Sequence, residues 1–230
     1  MKYLLTILSF IIFSPILLGQ SIKVKGFNDE YERYRNSHHF DYIHPDFDTS
    51  KLTWVADLRV EFDTVLKGMI GESYKELKEK ANRFGANSFS VEESDIYSFG
   101  KTKFIDLKVY WLRMEDRGDN MALHRSNDVY LFGFLGYHQE IEGYEVEIQE
   151  EDFTMRALTY RHYSYPVKTD VTVQLGSKIR GAKTSFKMHE RMYPKFLYFN
   201  MVKGSFKNAY IDEYSLSFGV FLTRILEADN

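Results

Sequence analysis

The sequence predicts an α+β protein in which a small β-α-β-β domain is followed by an antiparallel β-sandwich. Three observations carry that expectation. A single helix-period segment, Gly71–Gly85, lies between runs that alternate apolar and polar residues. A polar stretch, Arg113–Asn127, follows with Gly118, Asp119 and Asn120 as turn formers, and it is the best place for a domain boundary. From Asp128 onward, short alternating runs recur at roughly even spacing, punctuated by glycine and proline, as in sandwiches and barrels.

The chain opens with Met1, Lys2 and an apolar run from Leu4 to Leu18, broken by Thr6, Ser9, Ser14 and Pro15. A short positive start, an apolar centre and small residues near Gly19 make residues 1–19 a secretory signal peptide, with cleavage near Gly19–Gln20. A spanning helix needs roughly 20 apolar residues, so export is expected rather than anchoring. Roughly 210 residues remain, enough for one large domain or two small ones. Loss of Lys2 with the leader leaves 29 basic against 33 acidic residues, a net charge of −4. That balance lacks the broad basic footprint of a nucleic-acid binder. The chain has no cysteine, which excludes disulfides, thiolate metal sites and thiol nucleophiles. Its 17% aromatic content is the material from which a core can be packed instead.

Residues 20–53 read as a leading strand, Ser21–Lys25, and an irregular arm rich in charges and aromatics, with a helical turn near Tyr31 and Tyr34. Residues 54–115 form the expected β-α-β-β unit. In its first strand Trp54, Ala56, Leu58, Val60 and Phe62 share an apolar face. Ser73 and Glu76 fit a capping box that would start the helix. Tyr74, Leu77, Ala81 and Phe84 line one side of it, and Gly85 supplies the left-handed stop. Strands Ser88–Glu92 and Lys103–Leu112 follow, the second burying Ile105, Leu107, Val109 and Trp111.

Residues 128–227 would be the sandwich. Its strands are expected at Val129–Leu135, Tyr144–Gln149, Phe153–Tyr163, Asp170–Leu175, Thr184–His189, Lys195–Met201, Ser205–Tyr210 and Glu213–Ile225. In the last, Tyr214, Leu216, Phe218, Val220 and Leu222 alternate with small residues. A membrane barrel would need an uncharged lipid face about 10 residues long on every strand. Glu145, Glu147, Arg156 and Lys187 stand where that face would be.

The stretch ANRFGAN, Ala81–Asn87, followed by Ser88 and Phe89, resembles the helix-stop and strand unit of YbjQ-like and, more loosely, YdgH/BhsA-like small bacterial domains. The likeness covers residues 54–112, about a quarter of the chain. It implies homo-oligomer formation and an association with metal, and it carries over no functional residue.

Candidate chemistry is sparse. His38, His39, Asp41, His44 and Asp46 lie within nine residues and could supply zinc with nitrogen and oxygen ligands, His39, His44 and Asp46 above all. The competing reading is a solvated polar arm, because adjacent His38 and His39 point apart in an extended chain. Tyr160, Tyr163, Tyr165 and Tyr193 could form a glycan-stacking platform, against ordinary packing of strand aromatics. Arg117-Gly118-Asp119 matches an adhesion tripeptide too short to be specific. No G-x-S-x-G elbow or phosphate-binding glycine loop is present, and no catalytic residue or cofactor is expected. The leading expectation is an exported, periplasmic or extracellular, non-catalytic structural or interaction module of the bacterial envelope. It would meet an unknown envelope protein or glycan, with no nucleic acid. The alternative is a ligand-binding protein for glycan or metal, and a hydrolytic enzyme comes third.

Overall fold

The computed structural model describes residues 20–31, 38–62, 69–98, 102–133, 144–176, 181–201 and 209–229. The expected leader at 1–19, the turn at Tyr34 and the strand positions Leu135 and Ser205 lie outside them. The chain is α+β as expected, with three sheets and three α-helices among the described residues. None of those helices is long and apolar enough to cross a membrane.

The first sheet is built from β1 (Gln20–Phe27), β2 (Asp41–Tyr42), β3 (Leu52–Phe62), β4 (Ser88–Asp95) and β5 (Lys103–Leu112), in the order β1-β3-β5-β4-β2. Helix α1 (Met69–Phe84) lies against it, with Ile70, Leu77 and Ala81 buried and Tyr74 and Phe84 packed beside them. That is the predicted face. The predicted start differs: Ser73 sits buried one turn inside the helix and does not cap it. The predicted stop holds. Gly85 adopts φ 87, its N–H reaches the Asn82 carbonyl at 2.9 Å and the next N–H, of Ala86, reaches Ala81 at 3.0 Å. Those two bonds are a Schellman ending, which satisfies carbonyls that the helix would otherwise leave bare.

A second departure comes in β3. The ladder slips between Trp54 and Ala56, so Val55 and Ala56 are both buried and Trp54 leaves the core face. A bulge adds one residue to one strand and reverses the alternation beyond it. The indole N–H of Trp54 then donates to Asp57 at 2.9 Å.

The polar stretch expected to be a boundary is helix α2 (Met114–Leu123). Its inward positions are Asp116, Asn120 and the capping His124, all buried and spaced four apart. A helix whose buried stripe is polar shows no hydrophobic period. Arg117 and Asp119 are paired with Asp41 and Lys51, so the tripeptide is helical and both its charges are engaged.

In the β-rich part, β6 (Asp128–Phe132), β9 (Thr159–Ser164), β12 (Lys195–Met201), β13 (Ala209–Glu213) and the short β14 (Glu227–Ala228) make one sheet, ordered β13-β12-β6-β9-β14. The other contains β7 (Tyr144–Ile148), β8 (Glu151–Met155), β10 (Asp170–Leu175) and β11 (Ala182–Lys187), ordered β11-β10-β7-β8. Val129, Leu131, Leu197 and Phe199 from the first meet Val146, Ile148, Val171 and Val173 from the second in one apolar cluster. The expected all-antiparallel arrangement is corrected in two respects. β12 runs parallel to β6, and β14 parallel to β9. The last expected strand, Glu213–Ile225, is mostly helix α3 (Leu216–Ile225). Phe218, Phe221, Leu222 and Ile225 carry a helical stripe as well as the alternation, and packing chooses between the two.

Helix α3 covers the second face of the β6–β12 sheet, and the same apolar cluster runs on to the first sheet. Phe132, Phe196, Phe221 and Leu222 share it with Leu58, Leu77 and Phe89. The predicted strand Phe153–Tyr163 breaks at residues 156–158, where Leu158 takes φ 59 and the chain passes from one sheet to the other.

The β7–β8 hairpin turns through Gln149 and Glu150 at φ 49 and 69, a pair of left-handed residues where glycine or asparagine is usual. Gln149 has a reason to be there. Its side chain donates to the Asp170 carbonyl at 2.7 Å and accepts from Thr172 N–H at 3.3 Å, prolonging the ladder to β10. Glu150 makes no such bond among the described residues. Glu150→Gly is therefore expected to stabilise the fold by about 0.5–1 kcal/mol, read as a higher urea midpoint at unchanged slope.

Candidate functional site

The arm from Phe40 to Phe47 is the scaffold of the site. It is not the solvated segment that its composition allowed. Phe40, Tyr42, Ile43 and Phe47 are buried, and the Phe40 ring stacks on Phe89 of β4 at 4.4 Å. β2 is held in parallel register beside β4 by Asp41 N–H to the Asn87 carbonyl and Ile43 N–H to Phe89.

Three elements then converge on one residue, Tyr42. Its N–H donates to Ser217 Oγ in the first turn of α3 at 3.3 Å. Its carbonyl accepts from Asn120 Nδ2 of α2 at 2.9 Å and lies 3.1 Å from His124 Nε2. Asn120 also accepts the His44 N–H at 2.9 Å, so one buried amide satisfies two backbone groups of the arm. Behind it the Arg117 guanidinium grips both oxygens of the buried Asp41 carboxylate.

These contacts frame a cleft of about 200 Å³ between the arm, the end of α2, β6, β12 and α3. One wall carries Tyr130 and Phe196, two members of a three-ring stack that His162 continues outside the lining. His162 lies 4.6 Å from Tyr130, and Tyr130 lies 5.0 Å from Phe196, each pair nearly parallel. The opposite wall is Tyr42, with the Arg224 guanidinium 5.8 Å from its ring centre. His44 and His124 meet edge to face at 4.9 Å along the rim.

Burial pushes the Tyr130 hydroxyl up to about 12, so it stays a proton donor at neutral pH. Burial also raises the Asp128 carboxyl, but hydrogen bonds from Ser164, Ser126 and His162 outweigh that and hold it below its ordinary value. His124 is lowered to about 4, first by burial and further by neighbouring His44 and Arg224, against the pull of the Tyr42 carbonyl and Asp41. At neutral pH the ring donates one N–H to Tyr42 and carries no charge.

The sign of the resulting pH dependence is fixed. The unfolded chain takes up the His124 proton near pH 6.5, whereas the folded chain refuses it until about 4. Stability is full above 6.5 and is lost as the pH falls towards 4, by about 3 kcal/mol from this group alone. Urea midpoints followed from pH 7 to 4 should show this slope in the native protein. His124→Gln, which can still donate to Tyr42, should flatten it.

Asp128, Ser164 and His162 superficially resemble a hydrolytic triad. The geometry differs, because Asp128 Oδ1 at 3.1 Å and Ser164 Oγ at 3.4 Å approach the same ring nitrogen, Nε2. A triad places the carboxylate on one nitrogen and the nucleophile on the other.

The residues singled out from the sequence fall as follows. His44 lines the cleft, and its Nδ1 accepts Asp46 N–H at 3.1 Å and lies 3.7 Å from the exposed Asp46 carboxylate. His39 is half-buried and His38 exposed, and no three His, Asp or Glu side chains gather into a metal-sized group among the described residues. The four tyrosines are dispersed. Tyr163 and Tyr165 stack at 6.3 Å and pack towards the cluster between the two β-rich sheets. Tyr160 packs with Tyr130 and Phe132 on the other face, and Tyr193 stands exposed on a loop. Asn120, His124, Tyr130 and Arg224 lie outside the set of site residues that the sequence singles out. The one sequence signal for the first two is the four-residue spacing Asp116, Asn120, His124; Tyr130 and Arg224 carry none.

A wider groove of about 390 Å³ lies along β7 and β8 beside Glu145 and Asp152. It is bounded mainly by one hairpin, whereas five separate elements build the cleft. Comparison with protein-family models, curated proteins and solved structures finds no match to this chain.

Proposed function

We propose that this protein is an exported, non-catalytic interaction module of the bacterial envelope, and that it recognises its partner through the cleft at Tyr42, Tyr130 and Arg224. The observation that carries this reading is the cleft itself. Tyr42, Tyr130 and Phe196 stand there beside polar His44, Asp128, Thr223 and Arg224, a mixed lining whose convergent polar groups can fix the orientation of a ligand. Here the walls are held by buried hydrogen bonds from Asn120 and His124, which leave them little freedom to adjust. A preorganised surface loses less entropy on binding. In this reading the arm and the end of α2 supply one wall and the β-rich part with α3 the other.

Export follows from the leader-like first 19 residues. The reading is tested by cell fractionation together with cross-linking capture from envelope fractions, comparing the native protein with Leu123→Trp. Leu123 lines the cleft and is 42% exposed, so an indole there blocks the opening without disturbing the core. Capture of a partner by the native protein alone is the expected result. Equal capture by both, or recovery of the protein from the cytosol, overturns the reading.

A further inference from the structure

We infer that the ligand group received by this cleft is a monocarboxylate carried on a compact apolar body, of the kind presented by an aryl or branched-chain acid. The inference rests on the cleft being a recognition site and adds what it recognises. Arg224 lines the cleft, with its guanidinium 5.8 Å from the centre of the Tyr42 ring. No carboxylate among the described residues pairs with it, and of the described arginines without an ion pair, Arg83, Arg125, Arg191 and Arg224, it is the one that lines this cleft. A planar guanidinium beside an aromatic ring is preorganised for a two-point bond to a carboxylate.

A second donor stands on the same rim. Because His44 Nδ1 accepts the Asp46 N–H, the neutral ring carries its proton on Nε2. His44 therefore has its Nε2–H free of that bond to offer to an anion.

The remaining walls narrow the choice of ligand. Tyr42, Tyr130, Phe196, Leu123 and Val220 present apolar surface, and a volume of about 200 Å³ suits a body of about one ring. Asp128 also lines the cleft, with its carboxylate already bonded to Ser164 and His162. That fixed negative charge opposes a second negative charge on the ligand. A phosphate dianion or a dicarboxylate is disfavoured by like-charge repulsion in a partly desolvated site, whereas a single carboxylate at Arg224 is not.

The test is a set of titrations of the purified protein, followed by amide chemical shifts, with benzoate, benzamide and inorganic phosphate. Benzoate is expected to shift resonances around Tyr130, His44 and Val220 saturably, while benzamide and phosphate at the same concentrations leave them in place. Arg224→Gln, at an exposed position with no structural ion pair, should weaken benzoate at least about tenfold, and Arg224→Lys should restore part of that loss. Equal response to benzamide, or unchanged benzoate binding in Arg224→Gln, overturns the carboxylate assignment and leaves the cleft as a binding site. Absence of any saturable shift also overturns it. Capture by the native protein against Leu123→Trp decides the cleft reading separately.

Discussion

Gly219→Ala is expected to lower stability by about 3 kcal/mol, a loss of roughly 10 °C in Tm for a domain of this size. Gly219 lies in the middle of α3, where glycine by itself costs about 1 kcal/mol relative to alanine, so the isolated helix would gain from the change. The tertiary contact reverses that sign. A Cβ at this position would sit 2.1 Å from Phe196 Cγ and 2.5 Å from both neighbouring ring carbons. Phe196 cannot swing aside, since its ring is buried, stacked on Tyr130 and packed beside Phe132. The helix must therefore lift off β12, and Phe221 and Leu222, next to Gly219 on α3, lose contact with the core they share with Phe89 and Leu58. Urea unfolding of Gly219→Ala, Phe196→Leu and the double variant measures this directly. The two changes should be far from additive, with the smaller ring recovering much of the alanine's cost. An alanine variant as stable as the native protein would mean that α3 does not sit where described.

Asn87→Leu should cost about 3 kcal/mol although it exchanges a buried polar residue for an apolar one of similar size. Asn87 is 4% exposed and behaves as a piece of backbone. Its Nδ2 donates to the Leu112 carbonyl at 2.8 Å, and its Oδ1 accepts the Leu112 N–H at 2.7 Å. Its own main chain continues the sheet on both sides, donating to Tyr110 and accepting from Asp41. The substitution leaves two buried groups of Leu112 without partners, and stranded donors and acceptors cost about 1–3 kcal/mol each. Asn87→Asp keeps the acceptor and sets a carboxylate oxygen against the Leu112 carbonyl. That raises the carboxyl of the variant above its unfolded value, so its deficit should be greatest at neutral pH and shrink as the pH falls and the protonated acid can donate. Thermal melts at pH 7 and pH 4.5 separate the two variants. Because Leu112 leads directly into Arg113 and α2, the damage should extend to the cleft, visible as weaker benzoate shifts.

Asn87 also gives physical content to the Gly-Ala-Asn stretch. The glycine ends α1 through its positive φ, and the asparagine joins the end of β5 to the start of β4. Both are folding devices. The site is elsewhere, built on the arm that begins at Phe40.

What the sequence by itself determined are the elements whose signals are local and redundant. The stripe of α1 and its stop at Gly85, strand β5, and β3 beyond its bulge follow from period and turn chemistry confined to their own residues. The α+β class follows from them. What only the tertiary structure decided are the places where two local readings compete or where the buried face is polar. Residues 216–225 carry a strand period and a helix period together, and the fit of Gly219 against Phe196 selects the helix. Helix α2 turns Asp116, Asn120 and His124 inward, which is favourable only because Lys51, Arg113, Tyr42 and His44 are waiting there. The cleft has no sequence signature for the same reason. Tyr42, His124, Tyr130 and Arg224 lie up to 182 residues apart in the chain, and only the closing of α3 over β6 and β12 brings them to one place.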